Sequence, residues 1–328
     1  MKDFLVEWES TLSEKISKIN QSLVSAIHTD QKELYQMSRY IIEAGGKRFR
    51  PLLTIIAYEI ATGGPYEKIL DLASSCELIH TASLIHDDII DNAPTRRGKK
   101  TLNSLYGLDN AIVVGDYLFA KAYELGARYG YEVSKIMSDC ASMLAEGQIL
   151  EYMNLGKLDL SEEKYIDIIA RKTAYFFSVC TLAATTAAGS PPEVKKSLSD
   201  FAYNLGIAFQ ITDDILDIVG EEAKLGKAVF ADIKHNAITL PIIHALKNAD
   251  SMKERLIEII KFPTDDPSNR DELKHILTRT GSLDYAFKRA KYYVEESVKA
   301  LNKSGKSQNI NLLMDLAMII IDRIGDLA

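Results

Sequence analysis

Two eight-residue stretches share one arrangement of carboxylates. Leu84-Ile85-His86-Asp87-Asp88-Ile89-Ile90-Asp91 and Gln210-Ile211-Thr212-Asp213-Asp214-Ile215-Leu216-Asp217 both end in DDxxD. On a helix, positions i and i+4 share a face, which sets Asp87 above Asp91 and Asp213 above Asp217. Two carboxylates per helix, from two helices, would make an oxygen-rich site of high negative charge. Its natural guests are hard divalent cations, chiefly Mg2+, which takes a few carboxylates and fills its remaining positions with water and phosphate oxygens. A lone acidic helix face is ordinarily a solvated surface. Here each motif is set among apolar residues, Ile79, Ile85 and Ile89 at the first, Ile207, Ile211 and Ile215 at the second. Clustered aspartates on otherwise buried helices repel one another unless a cation compensates them.

Basic residues on glycine-containing loops follow each cluster: Arg96-Arg97-Gly98-Lys99-Lys100 after the first, then Lys224, Gly226-Lys227 and Lys234 after the second. Gly46-Lys47-Arg48-Phe49-Arg50 ends one helix before Pro51 begins the next, and Arg171-Lys172 adds a fourth group. Arginine's fork matches phosphate geometry and lysine supplies a point charge. Any one of these pairs alone reads as solvated surface. Together, beside carboxylate clusters, they suggest a metal-bridged polyphosphate ligand.

The elements that must position these groups are helices. No proline lies between 95 and 190, so long helices can run there unbroken. Apolar positions recur at threes and fours, as in Leu78, Ala82, Ile85 and Ile89. Gly45-Gly46 and Gly63-Gly64 predict helix ends, and Pro191-Pro192 the first turn of a new helix. Strand signals are weak, and 92–108 and 220–237 resist a helical reading. The pattern predicts one all-α domain, 1–328, of about a dozen helices.

Composition fits that class. The chain has 328 residues, 47% hydrophobic and 26% charged, with a mean hydropathy of -0.06, values that exclude wholesale disorder and an integral membrane protein. A net charge of -7 argues against general nucleic-acid binding. Cys76, Cys140 and Cys180 form no CxxC pair, which points to reduced thiols in the cytoplasm rather than a disulfide or zinc framework.

The ordered motifs resemble those of the trans-isoprenyl diphosphate synthases over nearly the whole chain. They are Gly45-Gly46-Lys47-Arg48-Phe49-Arg50-Pro51, the run Glu77 to Asp91, Arg96-Arg97-Gly98, Lys172-Thr173, the run Gly206 to Asp217, and Thr239-Leu240-Pro241. The resemblance implies an all-helical bundle around an apolar cavity, working as a homodimer. It implies that Asp87, Asp91 and Asp213 hold three Mg2+ ions on an allylic diphosphate, with Asp88, Asp214 and Asp217 in support. Arg96, Lys172 and Lys227, helped by Thr173 and Gln210, would contact that diphosphate, and Lys47, Arg50, His80 and Arg97 the diphosphate of isopentenyl diphosphate. The implied reaction is ionisation of the allylic substrate, attack by the isopentenyl double bond and proton loss to released diphosphate. No nucleic acid and no membrane span are expected, and membrane contact is limited to a transient one for product release. The family usually has Gly-Lys where Asn236-Ala237 stand, so Lys234 is the candidate substitute, and Phe230 stands where a small residue is common.

Rival readings predict different motifs. A terpene cyclase would not be expected to carry a second complete DDxxD, and non-catalytic synthase subunits usually lose aspartates. Ala82 and Ser83 lie about one turn before Asp87, where short-chain members place bulky aromatics. Small side chains there predict an open tunnel and hexaprenyl to octaprenyl products, with a floor from Met137, Met143 or Leu144; a geranylgeranyl product is the alternative.

Overall fold

The computed structural model describes residues 2–96, 98–220, 229–264, 266–301 and 308–325. Among these, helices carry nearly all regular structure and a two-stranded hairpin supplies the rest, as the all-α reading expects. None of these helices is long and apolar enough to cross a membrane. The chain forms two compact units, one of Met1–Ser142, Phe177–Ser199 and Lys303–Asn311, the other of Met143–Phe176, Asp200–Asn302 and Leu312–Ala328.

The first unit contains α1 (Lys2–Ala26), α2 (Lys32–Glu43), α3 (Phe49–Thr62), α4 (Leu70–Ile90), the strands β1 (Thr95–Arg96) and β2 (Lys99–Lys100), α5 (Leu102–Tyr106), α6 (Leu108–Ala127) and the start of α7 (Tyr131–Tyr152). Gly45 after α2 and Gly63 after α3 take φ values of +84° and +63°, the left-handed turns that end helices and that only glycine adopts freely. Residues 72–79 of α4 are buried without a break, so the helix is covered on every face. It packs chiefly on α6, with α3 and α1 on its other sides, and each buried Leu or Ile contributes roughly 1.5–3 kcal/mol. Small residues let α4 and α6 approach: Ser75 Oγ donates to the Ala122 carbonyl at 2.7 Å, and Gly115 leaves room for the His86 ring. The first aspartate motif thus ends a helix buried through its middle.

Arg48 is fully committed to this unit. Its backbone is left-handed (φ +51°), it is 4% exposed, and its guanidinium donates to Glu77 Oε1 at 2.8 Å, the Ile42 carbonyl at 2.7 Å and Asn20 Oδ1 at 2.8 Å. The turn carrying Lys47 is pinned by a neighbour that no ligand can reach. The three cysteines, distant in sequence, all lie buried in this unit as free thiols. Burial pushes Cys140 and Cys180 well above the usual thiol range, so both are protonated core residues.

The second unit contains the rest of α7, α8 (Glu162–Ile169), a π-turn (Ala170–Ala174), the start of α9 (Tyr175–Ala187), and α10 (Pro192–Val219) from Asp200. It continues with α11 (Ala231–Lys234), α12 (Leu240–Asn248), α13 (Lys253–Lys261), α14 (Pro267–Arg279), α15 (Ser282–Leu301) and α16 (Gln308–Gly325) from Leu312. Ser161 and Asp266 cap α8 and α14 by accepting the N–H groups of Lys164 (3.1 Å) and Ser268 (2.9 Å), and Pro192 opens α10 as its sequence predicts.

Of the two stretches that resist a helical reading, 92–108 holds the hairpin, with Gly98 at φ +73°, and the five-residue α5, and the described part of 220–237 (220 and 229–237) holds the four-residue α11. Elements this short complete too few periods to leave a hydrophobic pattern.

Candidate active site

In the first unit, the aspartates of α4 divide by burial. Asp87 is half-buried and Asp91 exposed, whereas Asp88 is 2% exposed and accepts from Arg96 Nε at 2.6 Å. Asp88 is therefore an anchor that sets Arg96, the first basic residue of the following loop. The hairpin carrying Arg96 is tied down by Tyr40, whose hydroxyl donates to the Lys100 carbonyl at 2.8 Å, and by Lys99, which donates to the Glu43 carbonyl at 3.2 Å.

The other basic groups of this unit differ in environment. Lys47 is exposed, and His80 is half-buried on α4, its carbonyl accepting from Ser83 Oγ at 2.9 Å. Arg50 lies in the first turn of α3 with its guanidinium 5.0 Å over the Phe177 ring. Burial pulls its pKa below the usual arginine value, with nearby Glu77 pulling the other way. Desolvation of this kind strengthens a charge-assisted bond to an incoming anion. Ala82 is fully buried, Ser83 half-buried, and Met137 buried in the same unit. Met143 lies in the other unit, 3.5 Å from Arg171 Nη1. Arg97, Lys224 and Lys227 lie outside the described residues.

In the second unit, a cleft with apolar walls brings together Lys172, Thr173, Gln210 and Asp214, joined by Glu151 and Asp232. Four side chains form a continuous chain of hydrogen bonds. Thr173 Oγ1 donates to Gln210 Oε1 at 2.9 Å, Gln210 Nε2 donates to Asp214 Oδ1 at 2.9 Å, and the Tyr165 hydroxyl donates to Asp214 Oδ2 at 2.6 Å. Asp214 is 4% exposed, and burial above all pushes its pKa up to about 7, with Asp213 and Asp217 adding to the rise. The bonds from Tyr165 and Gln210 oppose that shift. Tyr165 itself is pushed well above the usual phenol range, chiefly by burial.

Asp217 has a different task. Its carboxylate accepts the N–H groups of Ala231 at 3.2 Å and Asp232 at 3.1 Å, and its carbonyl accepts that of Phe230 at 2.8 Å. It caps α11 and holds Asp232 at the cleft. Phe230 takes a left-handed backbone, φ +65°, with its ring 4% exposed. A small residue suits that backbone better, and burial of the aromatic ring offsets the strain. Ala237, where the resemblance leads one to expect lysine, lines the cleft, while Lys234 is exposed at the end of α11. Arg171 is engaged by Asp167 at 2.8 Å and by Glu146, a structural pairing.

Asp213 is half-buried. It resembles Asp87 and Asp91 in offering a hard oxygen donor that is not sealed in the core. Among the described residues, no three or more such side chains form a ready-made metal cage. Carboxylates exposed singly or in pairs fit Mg2+, which binds through one or two of them and completes its shell with phosphate oxygens and water. Tyr165, Glu151 and Asp232 carry no sequence signal, since each falls in ordinary amphipathic or loop sequence with no motif to mark it.

A family model described as polyprenyl synthetase matches residues 31–279. An octaprenyl diphosphate synthase from Haemophilus influenzae is 34% identical over 309 residues, covering 94% of this chain and 94% of its own. Two crystal structures share the fold. One is a decaprenyl diphosphate synthase from Rhodobacter capsulatus, with TM-score 0.88, 32% identity, and 96% of this chain and 98% of that one covered. The other is a geranylgeranyl pyrophosphate synthetase from Pyrococcus horikoshii, with TM-score 0.90, 34% identity, and 97% and 99% covered.

Proposed function

The chain belongs to the polyprenyl synthetase family and is a trans-prenyltransferase, and on that premise we propose that it elongates an allylic diphosphate with isopentenyl diphosphate to hexaprenyl–octaprenyl length. Residues 1–328 act as one catalytic body in this reading. The observation that carries it is the cleft of the second unit, where Lys172 and Thr173 meet the second aspartate motif, in a chain whose α4 ends in another complete DDxxD. Arg96, Lys172 and Lys227 hold the allylic diphosphate; Lys47, Arg50, His80 and Arg97 hold that of isopentenyl diphosphate. Asp87, Asp91 and Asp213 would hold three Mg2+ ions, whose positive charge would offset that of the leaving diphosphate. The allylic C–O bond breaks, the isopentenyl double bond attacks the resulting cation, and the proton lost passes to released diphosphate.

A second copy of the chain is the expected partner. Leu108, Ile112 and Val113 on α6 are 53%, 41% and 56% exposed, with Leu105 and Tyr106 beside them on α5, an apolar face that a homodimer would cover.

Product length rests on Ala82 and Ser83. The test is incubation of purified protein with Mg2+, isopentenyl diphosphate and geranyl, farnesyl or geranylgeranyl diphosphate, for wild type, Ala82→Phe and Ser83→Phe. Long products that shorten in the variants support the reading. A wild type that stops at geranylgeranyl diphosphate overturns the length, and failure to incorporate isopentenyl units overturns the activity. Ser83, being half-buried, accepts a larger ring with less overpacking than Ala82, where the cost is about 1–3 kcal/mol.

A further inference from the structure

We propose that Gly147 and Glu151, one turn apart on α7, are positioning residues that fix the side chain of Lys172, an inference that rests on the reading of Lys172 as a diphosphate-binding group. Lys172 does not sit on a regular helix. It lies in the π-turn Ala170–Ala174, closed by the Tyr175 N–H bonding to the Ala170 carbonyl, which widens the backbone by one residue. Such turns are intrinsically poor and persist where their surroundings hold them.

Two glycines let neighbouring helices close on the turn. A Cβ placed on Gly147 would lie 2.9 Å from Arg171 Cβ and Lys172 Cγ, and 3.0 Å from the Lys172 backbone nitrogen. A Cβ on Gly206 of α10 would lie 2.6 Å from Ala174 Cα. Neither glycine has a left-handed backbone, so close approach is what requires them. A glycine within a helix is destabilising relative to alanine, a cost incurred here twice around one five-residue turn.

α7 also reaches the far end of the same side chain. The Glu151 carboxylate forms an ion pair with the Lys172 ammonium, and Glu151, four residues after Gly147, shares its helix face. The stem of Lys172 thus starts on Gly147 and its ammonium ends on Glu151, which keeps the charge at the cleft before a substrate arrives. A free lysine side chain loses substantial rotamer entropy on being fixed. Fixing it in advance removes much of that cost from binding. A diphosphate, more negatively charged than one carboxylate, then competes with Glu151 for the ammonium.

The experiment compares Gly147→Ala, Glu151→Gln, Glu151→Asp, Lys172→Ala and the doubles Gly147→Ala/Lys172→Ala and Glu151→Gln/Lys172→Ala. KM is measured for farnesyl diphosphate and for isopentenyl diphosphate, alongside kcat, circular dichroism and calorimetric binding of inorganic pyrophosphate with Mg2+. Gly147→Ala and Glu151→Gln should raise the farnesyl KM by about tenfold or more and weaken pyrophosphate to match. The isopentenyl KM should stay unchanged, and Glu151→Asp should recover part of the loss. On the Lys172→Ala background neither change should add further. Additive effects in the doubles, or a Glu151→Gln variant with normal farnesyl KM beside a defective Lys172→Ala, overturn the positioning role. A Lys172→Ala variant with normal farnesyl KM overturns the reading of Lys172 itself, and this inference with it. If Gly147→Ala fails to fold, Glu151→Gln carries the test.

Discussion

The Tyr165 hydroxyl donates a 2.6 Å hydrogen bond to Asp214 Oδ2 inside the second unit. That bond favours the ionised form of a carboxylate which burial otherwise pushes up to about 7. An aspartate raised in the folded state keeps its proton there after the unfolded chain has lost it. This group therefore lowers folding stability as pH climbs from about 4 to about 7. In chelator, the metal-free wild type should lose thermal stability across that window, by a few kcal/mol at most, while Asp214→Asn, which cannot ionise, should show a flatter profile. Tyr165→Phe should cost about 1–3 kcal/mol, most of it above pH 7, where the orphaned carboxylate is charged. Identical pH slopes for wild type and Asp214→Asn in thermal unfolding would rule this account out.

Asp87→Ala and Asp213→Ala should each lower turnover by about 10²-fold or more, since each removes charge stabilisation from the departing diphosphate. Neither side chain is sealed in the core, so circular dichroism should report an intact helical fold, with the melting temperature of the metal-free protein no lower than that of wild type. Near-normal turnover in steady-state assays would dismiss the metal reading.

Arg48 and Lys47, adjacent in sequence, should behave oppositely. Arg48→Ala strips a buried Glu77 of its partner and should destabilise the protein by about 3–5 kcal/mol. Lys47→Ala, at an exposed position, should leave stability within about 0.5 kcal/mol while raising the KM for isopentenyl diphosphate. Denaturant titration with paired kinetics decides it, and a stable Arg48→Ala enzyme would contradict the buried-pair argument.

Arg96→Ala should act mainly on the allylic substrate, and His80→Ala and Arg97→Ala mainly on isopentenyl diphosphate. Because Arg96 also neutralises buried Asp88, its removal should lower stability by about 1–3 kcal/mol. Asp88→Asn, which loosens Arg96 without removing it, should reproduce a smaller part of the allylic KM effect. Equal KM changes for both substrates in every variant would abolish the division.

Local signals were legible because their physics is local. The helical setting of both DDxxD motifs follows from apolar residues at threes and fours, and the ends of α2 and α3 from glycines that readily enter left-handed turns. The start of α10 follows from a proline that lacks an N–H. The motif order carries the family, since each short pattern keeps its residue types at fixed spacing.

Tertiary structure decided what identical residues do. Asp87, Asp88 and Asp91 are chemically the same, and only packing makes Asp88 a buried anchor for Arg96 while Asp87 and Asp91 stay accessible. Asp217 became a helix cap and Asp214 a buried acceptor for the same reason, as did Arg48 in becoming a core ion pair. Tyr165, Glu151 and the π-turn left no mark in the sequence. Their roles depend on contacts between segments far apart along the chain, and neither spacing nor propensity encodes which distant side chain a polar group will meet once water is excluded.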